Sequence, residues 1–175
     1  MDWMFMPLRR YADFSGRSRR MEFWMWQLLQ FIVYFVVVVL AMVFGGGMMM
    51  MAGDPSALAA AGGAMLIIML LYMVYALAVF IPSLAVAVRR LHDTNRTGWW
   101  ILAPVAPYLV AILAGMMAVS SPDMAGAAGI LALVCMVAAL ALAITLLVFY
   151  FLEGTRGPNK YGPDPKGQDA GQVFA

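Results

Sequence analysis

Four long apolar runs alternate with short polar connectors along the chain: about Phe23 to Phe44, Gly63 to Val88, Trp99 to Val119 and Ala127 to Leu152. None holds an Asp, Glu, Lys, Arg or His in its interior. A helix rises about 1.5 Å per residue, so about 20 apolar residues cross a hydrocarbon core about 30 Å thick. Each run reaches that length. In lipid the backbone groups must bond within their own segment, so the pattern predicts four transmembrane α-helices. Pro82 removes a donor from the second run and crowds the carbonyl of Ala78, which predicts a kink there and a helix continuing from Leu84 to Arg90 into the interface. Pro104 and Pro107 predict a bend in the first turns of the third run. In the fourth, Ala128 with Ala132 and Ala139 with Ala143 put small residues four apart, which lets helices approach closely. Before the first run, Leu8, Tyr11 and Phe14 recur every three residues, with Arg9, Arg10 and Asp13 between them. That spacing predicts a short interfacial helix ended by Gly16. The expected fold class is all-α: an integral membrane bundle of four transmembrane helices with a short N-terminal interfacial helix. It forms one domain over residues 1–166, followed by a tail at residues 167–175 that little in the sequence orders.

Composition sharpens the picture. The chain has 175 residues, 65% hydrophobic and 11% charged, whereas a soluble domain carries about a quarter charged residues. The lipid bilayer is therefore its first partner, and nothing points to nucleic acid. The charges are also segregated. Arg9, Arg10, Arg17, Arg19 and Arg20 precede the first run, Arg89, Arg90 and Arg96 separate the second and third, and Arg156, Lys160 and Lys166 follow the fourth. Four crossings put these three segments on one face. The other two loops, about Gly45 to Gly62 and Ser120 to Gly126, carry only Asp54 and Asp123. The excess of Lys and Arg makes the first face cytoplasmic, with both termini on it. Trp3, Trp24, Trp26, Trp99 and Trp100 fall on the same side, where indoles anchor at the headgroups. SRRMEF (Ser18 to Phe23) superficially resembles a twin-arginine export signal, but the apolar run after it exceeds the 7–15 residues of a cleaved signal, so a retained helix is the expectation.

Three polar motifs carry a family likeness. FSGRSRRMEFW (Phe14 to Trp24), RRLHDTNRTGWW (Arg89 to Trp100) and EGTRGPNKYGPDP (Glu153 to Pro165) occur in this order. From about Leu8 to Pro165 the chain resembles the bacterial inner-membrane family called domain of unknown function 805. The resemblance implies a multi-pass protein of the bacterial inner membrane. It implies no activity, cofactor or catalytic residue.

The same three motifs hold the candidate chemistry. One reading is a structural cap over the inner helix ends, made by Glu22, His92, Asp93, Trp99, Trp100, Glu153, Asn159 and Tyr161. Asp93 lies four residues from Arg89 and three from Arg90, so it bridges one of them if the second helix reaches it. Asn95 and Gly98 suit a turn, and Thr97 suits the N-cap of the third helix. Glu22 sits at the positive end of the first helix. Glu153, at the membrane edge, needs an arginine of the hairpin or of the N-terminal motif, and Arg89 is the expected one. The other reading is an anion site for a phospholipid headgroup, built from Arg17, Arg20, Arg89, Arg90, Arg96, Arg156 and Lys160, since guanidinium forks suit phosphate.

An enzyme is not expected. His92 and Asp93 are too few ligands for a metal. Ser83 lies nine residues from His92, about 13 Å along one helix, out of reach of a serine–histidine pair. Cys135 is a lone cysteine in an apolar run and reads as packing. The run Met48 to Met51 offers thioethers that suit Cu(I), but among 17 methionines compositional drift explains it better. No cofactor and no metal is expected. The leading function is a non-enzymatic membrane component that binds an anionic lipid or a protein partner, with homo-oligomerisation open. The alternative is a small transporter or channel subunit. Its weakness is that the runs hold only Gln27, Gln30, Ser83, Thr145 and tyrosines as polar groups, where ion-coupled carriers hold ionisable ones.

Overall fold

The structure, a computed structural model, describes residues 2–50 and 53–167. Among these residues the chain is all-α, with helices α1 (Asp2–Arg9), α2 (Arg20–Met50), α3 (Pro55–Asp93), α4 (Val105–Ser120) and α5 (Ala125–Phe151). Short 3₁₀ turns lie at Gly98–Leu102 and Pro122–Met124. Four stretches are long and apolar enough to cross a membrane: Arg20–Gly45, Pro55–Asp93, Gly98–Ser120 and Pro122–Phe151. The side chains of the run Met48 to Met51, and the tail beyond Gly167, lie outside the described residues.

Two expectations about boundaries are corrected. The loop expected from Gly45 to Gly62 is mostly helical, because α2 continues to Met50 and α3 already starts at Pro55. Asp54 sets that start. Its Oδ1 accepts from the Ser56 N–H at 2.9 Å and the Ser56 hydroxyl at 2.7 Å, with the Ala57 N–H at 3.4 Å. Pro55 follows at the first helical position, where a missing N–H costs nothing. The N-terminal helix covers Asp2–Arg9 rather than the stretch around Tyr11, and a turn closed by the Arg10–Asp13 pair at 2.7 Å follows it.

The chain divides into two compact units. The first comprises Met1–Asp13 and Met21–Val86, and so holds α1 and most of α2 and α3. Here α2 and α3 are joined by Trp26 Nε1 donating to Ser83 Oγ at 2.9 Å and by Tyr75 Oη donating to Gln30 Oε1 at 2.9 Å. Trp26 is fully buried. It is thus a packing residue with a satisfied N–H rather than a headgroup anchor, which corrects its expected role. Helix α3 runs unbroken through Pro82. A proline at position 82 leaves the carbonyl of Ala78 without its helical donor, and the Tyr11 hydroxyl takes that place, donating to Ala78 O at 2.6 Å. Tyr11→Phe orphans this carbonyl where water is scarce. It is expected to cost about 1–3 kcal/mol, read as a lower midpoint in denaturant titration of the micelle-embedded chain. An unchanged midpoint would show that the hydroxyl does not matter to the fold.

The second unit comprises Phe14–Arg20 and Ala87–Ala175. Its α4 and α5 pack along small residues. The less exposed positions include Pro107, Ala111, Ala114 and Ala118 on α4, and Ala128, Ala132, Cys135, Ala139, Leu142, Leu146 and Phe149 on α5. Steps of three and four residues make a seam with a period near 3.5, the geometry of left-handed helix pairs, and alanines let the axes come close. Of the four alanines singled out in the fourth run, Ala128 and Ala139 are buried, whereas Ala143 is exposed. The third run opens as a 3₁₀ turn because Pro104 and Pro107 lack donors. Helix α4 begins after Pro104, and Pro107 lies in its first turn, where no intrahelical acceptor is lost. Thr97 stands at the head of the 3₁₀ turn, but its side chain makes no cap bond. Its backbone carbonyl instead accepts from the Trp100 N–H at 3.3 Å.

Candidate functional site: the cap around Asp93

The cap lies within the second unit and grows from the last turn of α3. Asn95 adopts a left-handed conformation, φ 59°, which Asn tolerates better than most residues. The Arg96 N–H then bonds Leu91 O at 3.0 Å and the Asn95 N–H bonds His92 O at 3.0 Å. This is a Schellman closure that satisfies the last carbonyls and ends α3 with Asp93 pointing into the cap.

Asp93 is the hub. Its Oδ1 receives Arg17, with Nε at 3.0 Å and Nη2 at 2.9 Å, and its Oδ2 receives Arg90 Nη1. The three side chains are almost wholly buried. The remaining guanidinium donors go to backbone carbonyls. Arg17 donates to Gly157 O at 2.6 Å and to Thr155 O, and Arg90 donates to Tyr150 O at 3.2 Å and to Leu152 O. Arg90 thereby collects carbonyls at the C-terminal end of α5, a role suited to a cation at a helix end, and Arg17 collects those of the segment that follows. Asp93 also ties the third motif by its backbone, because its carbonyl accepts from the Thr155 N–H at 2.8 Å. Gly154 is obligatory beside it: a Cβ there would stand 2.1 Å from Asp93 Oδ2.

His92 and Asn159 lock the same segment. Asn159 Nδ2 donates to His92 O and to Thr155 Oγ1, both at 2.9 Å, and Asn159 Oδ1 accepts from the Tyr161 N–H at 2.9 Å. The Tyr161 ring stacks on His92 with centroids 3.8 Å apart and planes 4° apart. His92 Nδ1 lies 3.2 Å from Gly16 O. A carbonyl only accepts, so this nitrogen carries the proton. Further out, Arg19 Nε donates to Pro165 O at 2.9 Å. The Asp164 carboxyl is held below its ordinary pKa, first by the backbone N–H of Lys166, then by that of Gly157 and the charges of Arg17 and Lys166, against the opposing effect of burial.

Glu153 pairs with Arg20 of the N-terminal motif at 2.7 Å, one of the two sources expected, and not with Arg89. Arg89 is itself fully buried, and its carbonyl accepts from the Ser18 N–H at 3.2 Å. Of the two arginines considered for Asp93, Arg90 is the partner. Arg17, assigned from sequence to an anion, is the second. The sequence offered no signal for that pair, which spans 76 positions.

A polar cavity of about 380 Å³ opens beside this hub. It is lined by Arg17, Arg19, Arg20, Arg156 and Lys166 and by the carboxylates of Asp93, Glu153 and Asp164. Lys166, Arg19 and Asp164 were missed as site residues, although Lys166 had been counted among the basic residues of that face. Arg156 and Lys166 are exposed, and their side chains have no hydrogen-bond or ion-pair partner among the described residues. Arg96 and Lys160 lie elsewhere: Arg96 stacks 3.9 Å over Phe149, and Lys160 sits 4.9 Å over Tyr161. Trp100 meets Phe149 edge to face at 5.1 Å, while Trp99 is 78% exposed. Glu22 is buried in the first turn of α2, in the first unit. Among the described residues no three His, Cys, Asp or Glu side chains come together as metal ligands.

No solved structure matches the chain. It is 32% identical over 166 residues to the inner membrane protein YhaI of Escherichia coli (strain K12), an alignment that covers 95% of this chain and 97% of that protein. It is 31% identical over 166 residues to the inner membrane protein YhaH of the same strain, covering 95% and 98%. Residues 11–163 match the family described as "Protein of unknown function (DUF805)". That stretch contains the first two polar motifs whole and the third as far as Pro163, including every residue that meets Asp93, and the chain belongs to this family.

Proposed function

We propose that the protein is a non-enzymatic, multi-pass component of the bacterial inner membrane whose cytoplasmic cap holds the phosphate of an anionic lipid headgroup. The membrane assignment rests on four helices of spanning length and on relatives that are inner membrane proteins. The orientation, with both termini cytoplasmic, rests on the confinement of all eleven Lys and Arg residues to three connected segments. One observation carries the ligand: a cavity with five basic and three acidic side chains, in which the carboxylates are already engaged. Asp93 is held by Arg17 and Arg90, Glu153 by Arg20, and Asp164 by backbone N–H groups. Arg156 and Lys166 are left to meet an incoming anion, and anionic lipids crowd the inner leaflet.

Each cation near a membrane surface contributes about 1 kcal/mol to anionic lipid binding. Arg156→Ala combined with Lys166→Ala is therefore expected to weaken phosphatidylglycerol retention roughly twenty- to thirtyfold. Native mass spectrometry of the full chain released from nanodiscs reads this directly. An unchanged number of bound anionic lipids in the double variant, with folding intact, would refute the headgroup site. Displacement of the lipid by millimolar inorganic phosphate would show that phosphate alone is recognised.

A further inference from the structure

The first unit holds a polar groove that the cap does not explain. It has a volume of about 440 Å³ and runs between α2 and α3. On α2 it is lined by Gln27, Gln30 and Tyr34, at spacings of three and four residues, so they share one helix face. On α3 it is lined by Tyr72 and Tyr75. Gln30, Tyr34, Tyr72 and Tyr75 lie within the apolar runs, and Gln27 lies near the inner end of the first. Tyr34 stands eleven residues beyond Phe23, about 16 Å along the helix, near the middle of a 30 Å core.

The hydrogen bonding of this stripe is incomplete. Tyr75 donates to Gln30 Oε1 at 2.9 Å, but Gln30 Nε2 is buried without a partner. The Gln27 amide and the Tyr34 and Tyr72 hydroxyls also have no hydrogen-bond partner among the described residues. Gln27 is exposed, and Tyr34 is 54% exposed. Acyl chains supply neither donors nor acceptors, so polar groups left open in the core cost free energy that another protein surface relieves.

We propose that this groove is a homotypic interface: the face of α2 bearing Gln27 and Tyr34 docks against the same face of a second copy of the chain. Two features select a second copy. The open groups run in a line along about 10 Å of helix, from Gln27 to Tyr34, which matches a facing helix better than a compact headgroup. A primary amide also carries both donors and an acceptor, so Gln27 complements itself across a two-fold axis, as an isologous interface requires. No charged residue lines the groove, so like-charge repulsion does not oppose self-association.

The test uses the full chain in vesicles of phosphatidylethanolamine and phosphatidylglycerol, with single-molecule photobleaching counting copies as protein density varies. The native chain is expected to show a density-dependent dimer. Gln27→Leu with Tyr34→Phe, both on partly or fully exposed side chains, is expected to raise the dissociation constant roughly tenfold, in line with interhelical hydrogen bonds in bilayers. Val74→Leu, on a residue 66% exposed and outside the groove lining, should leave it unchanged. A second measurement is independent of those variants. In a Cys135→Ala background, Phe31→Cys in the groove should form disulfide-linked dimers when native membranes are treated with copper–phenanthroline as oxidant, and Val74→Cys should not. A monomer at every density, equal cross-linking at the two positions, or a dimer indifferent to the groove substitutions overturns the proposal. So does a small molecule that co-purifies with the native chain and is lost from the Tyr34→Phe variant.

Discussion

Asp93→Asn is expected to cost on the order of 3–5 kcal/mol of folding stability, the cost of breaking a buried ion pair from one side. The side chains of Arg17 and Arg90 are 2% and 0% exposed, and both meet this carboxylate. Neutralising it leaves two buried guanidinium groups without the carboxylate they share. Their remaining bonds run to carbonyls of Tyr150, Leu152, Thr155 and Gly157, so the end of α5 and the start of the third motif are loosened with them. Reversible unfolding of the bilayer- or micelle-embedded chain, by steric trapping or denaturant titration, measures the effect. A loss of about 1 kcal/mol or less would mean that the hub is not what holds the three motifs together.

Gly154→Ala is the second large effect, and its interest lies in coupling. The added methyl would fall 2.1 Å from Asp93 Oδ2 and 2.6 Å from its Cγ. Those atoms cannot retreat without releasing Arg17 or Arg90. Overpacking of this kind costs about 1–3 kcal/mol and sometimes more. In an Asp93→Ala background the obstructing carboxylate is gone, so Gly154→Ala should then cost close to nothing. The two changes share one site and should be strongly non-additive. Additive losses in the double variant would show that Gly154 is needed for some reason other than room beside Asp93.

Both predictions turn on a residue that the sequence marked only in part. The spacing of Arg90 and Asp93 on one helix was enough to suggest their pair, because helix geometry makes three-residue neighbours meet. The pairing of Asp93 with Arg17 was not legible, and for Glu153 the motifs narrowed the partner without selecting Arg20. Each pair joins segments more than 70 residues apart, and no local periodicity encodes which of eleven like charges meets which carboxylate. The same limit explains Trp26. An indole near the end of an apolar run fits both a headgroup anchor and a packed core, and only the position of Ser83 on the facing helix decides between them.

By itself the sequence determined that the chain is helical, how many of its helices are long and apolar enough to cross a membrane, and that its basic residues are confined to three polar segments. These properties follow from hydrogen bonding along single segments and from the cost of burying charge in hydrocarbon, both of which are local. The tertiary structure alone decided which arginines are buried in the hub and which stay exposed, why position 154 must be glycine, and which carbonyl Tyr11 satisfies behind Pro82. These depend on distances between segments remote in the chain, where a shift of a few ångströms exchanges one partner for another.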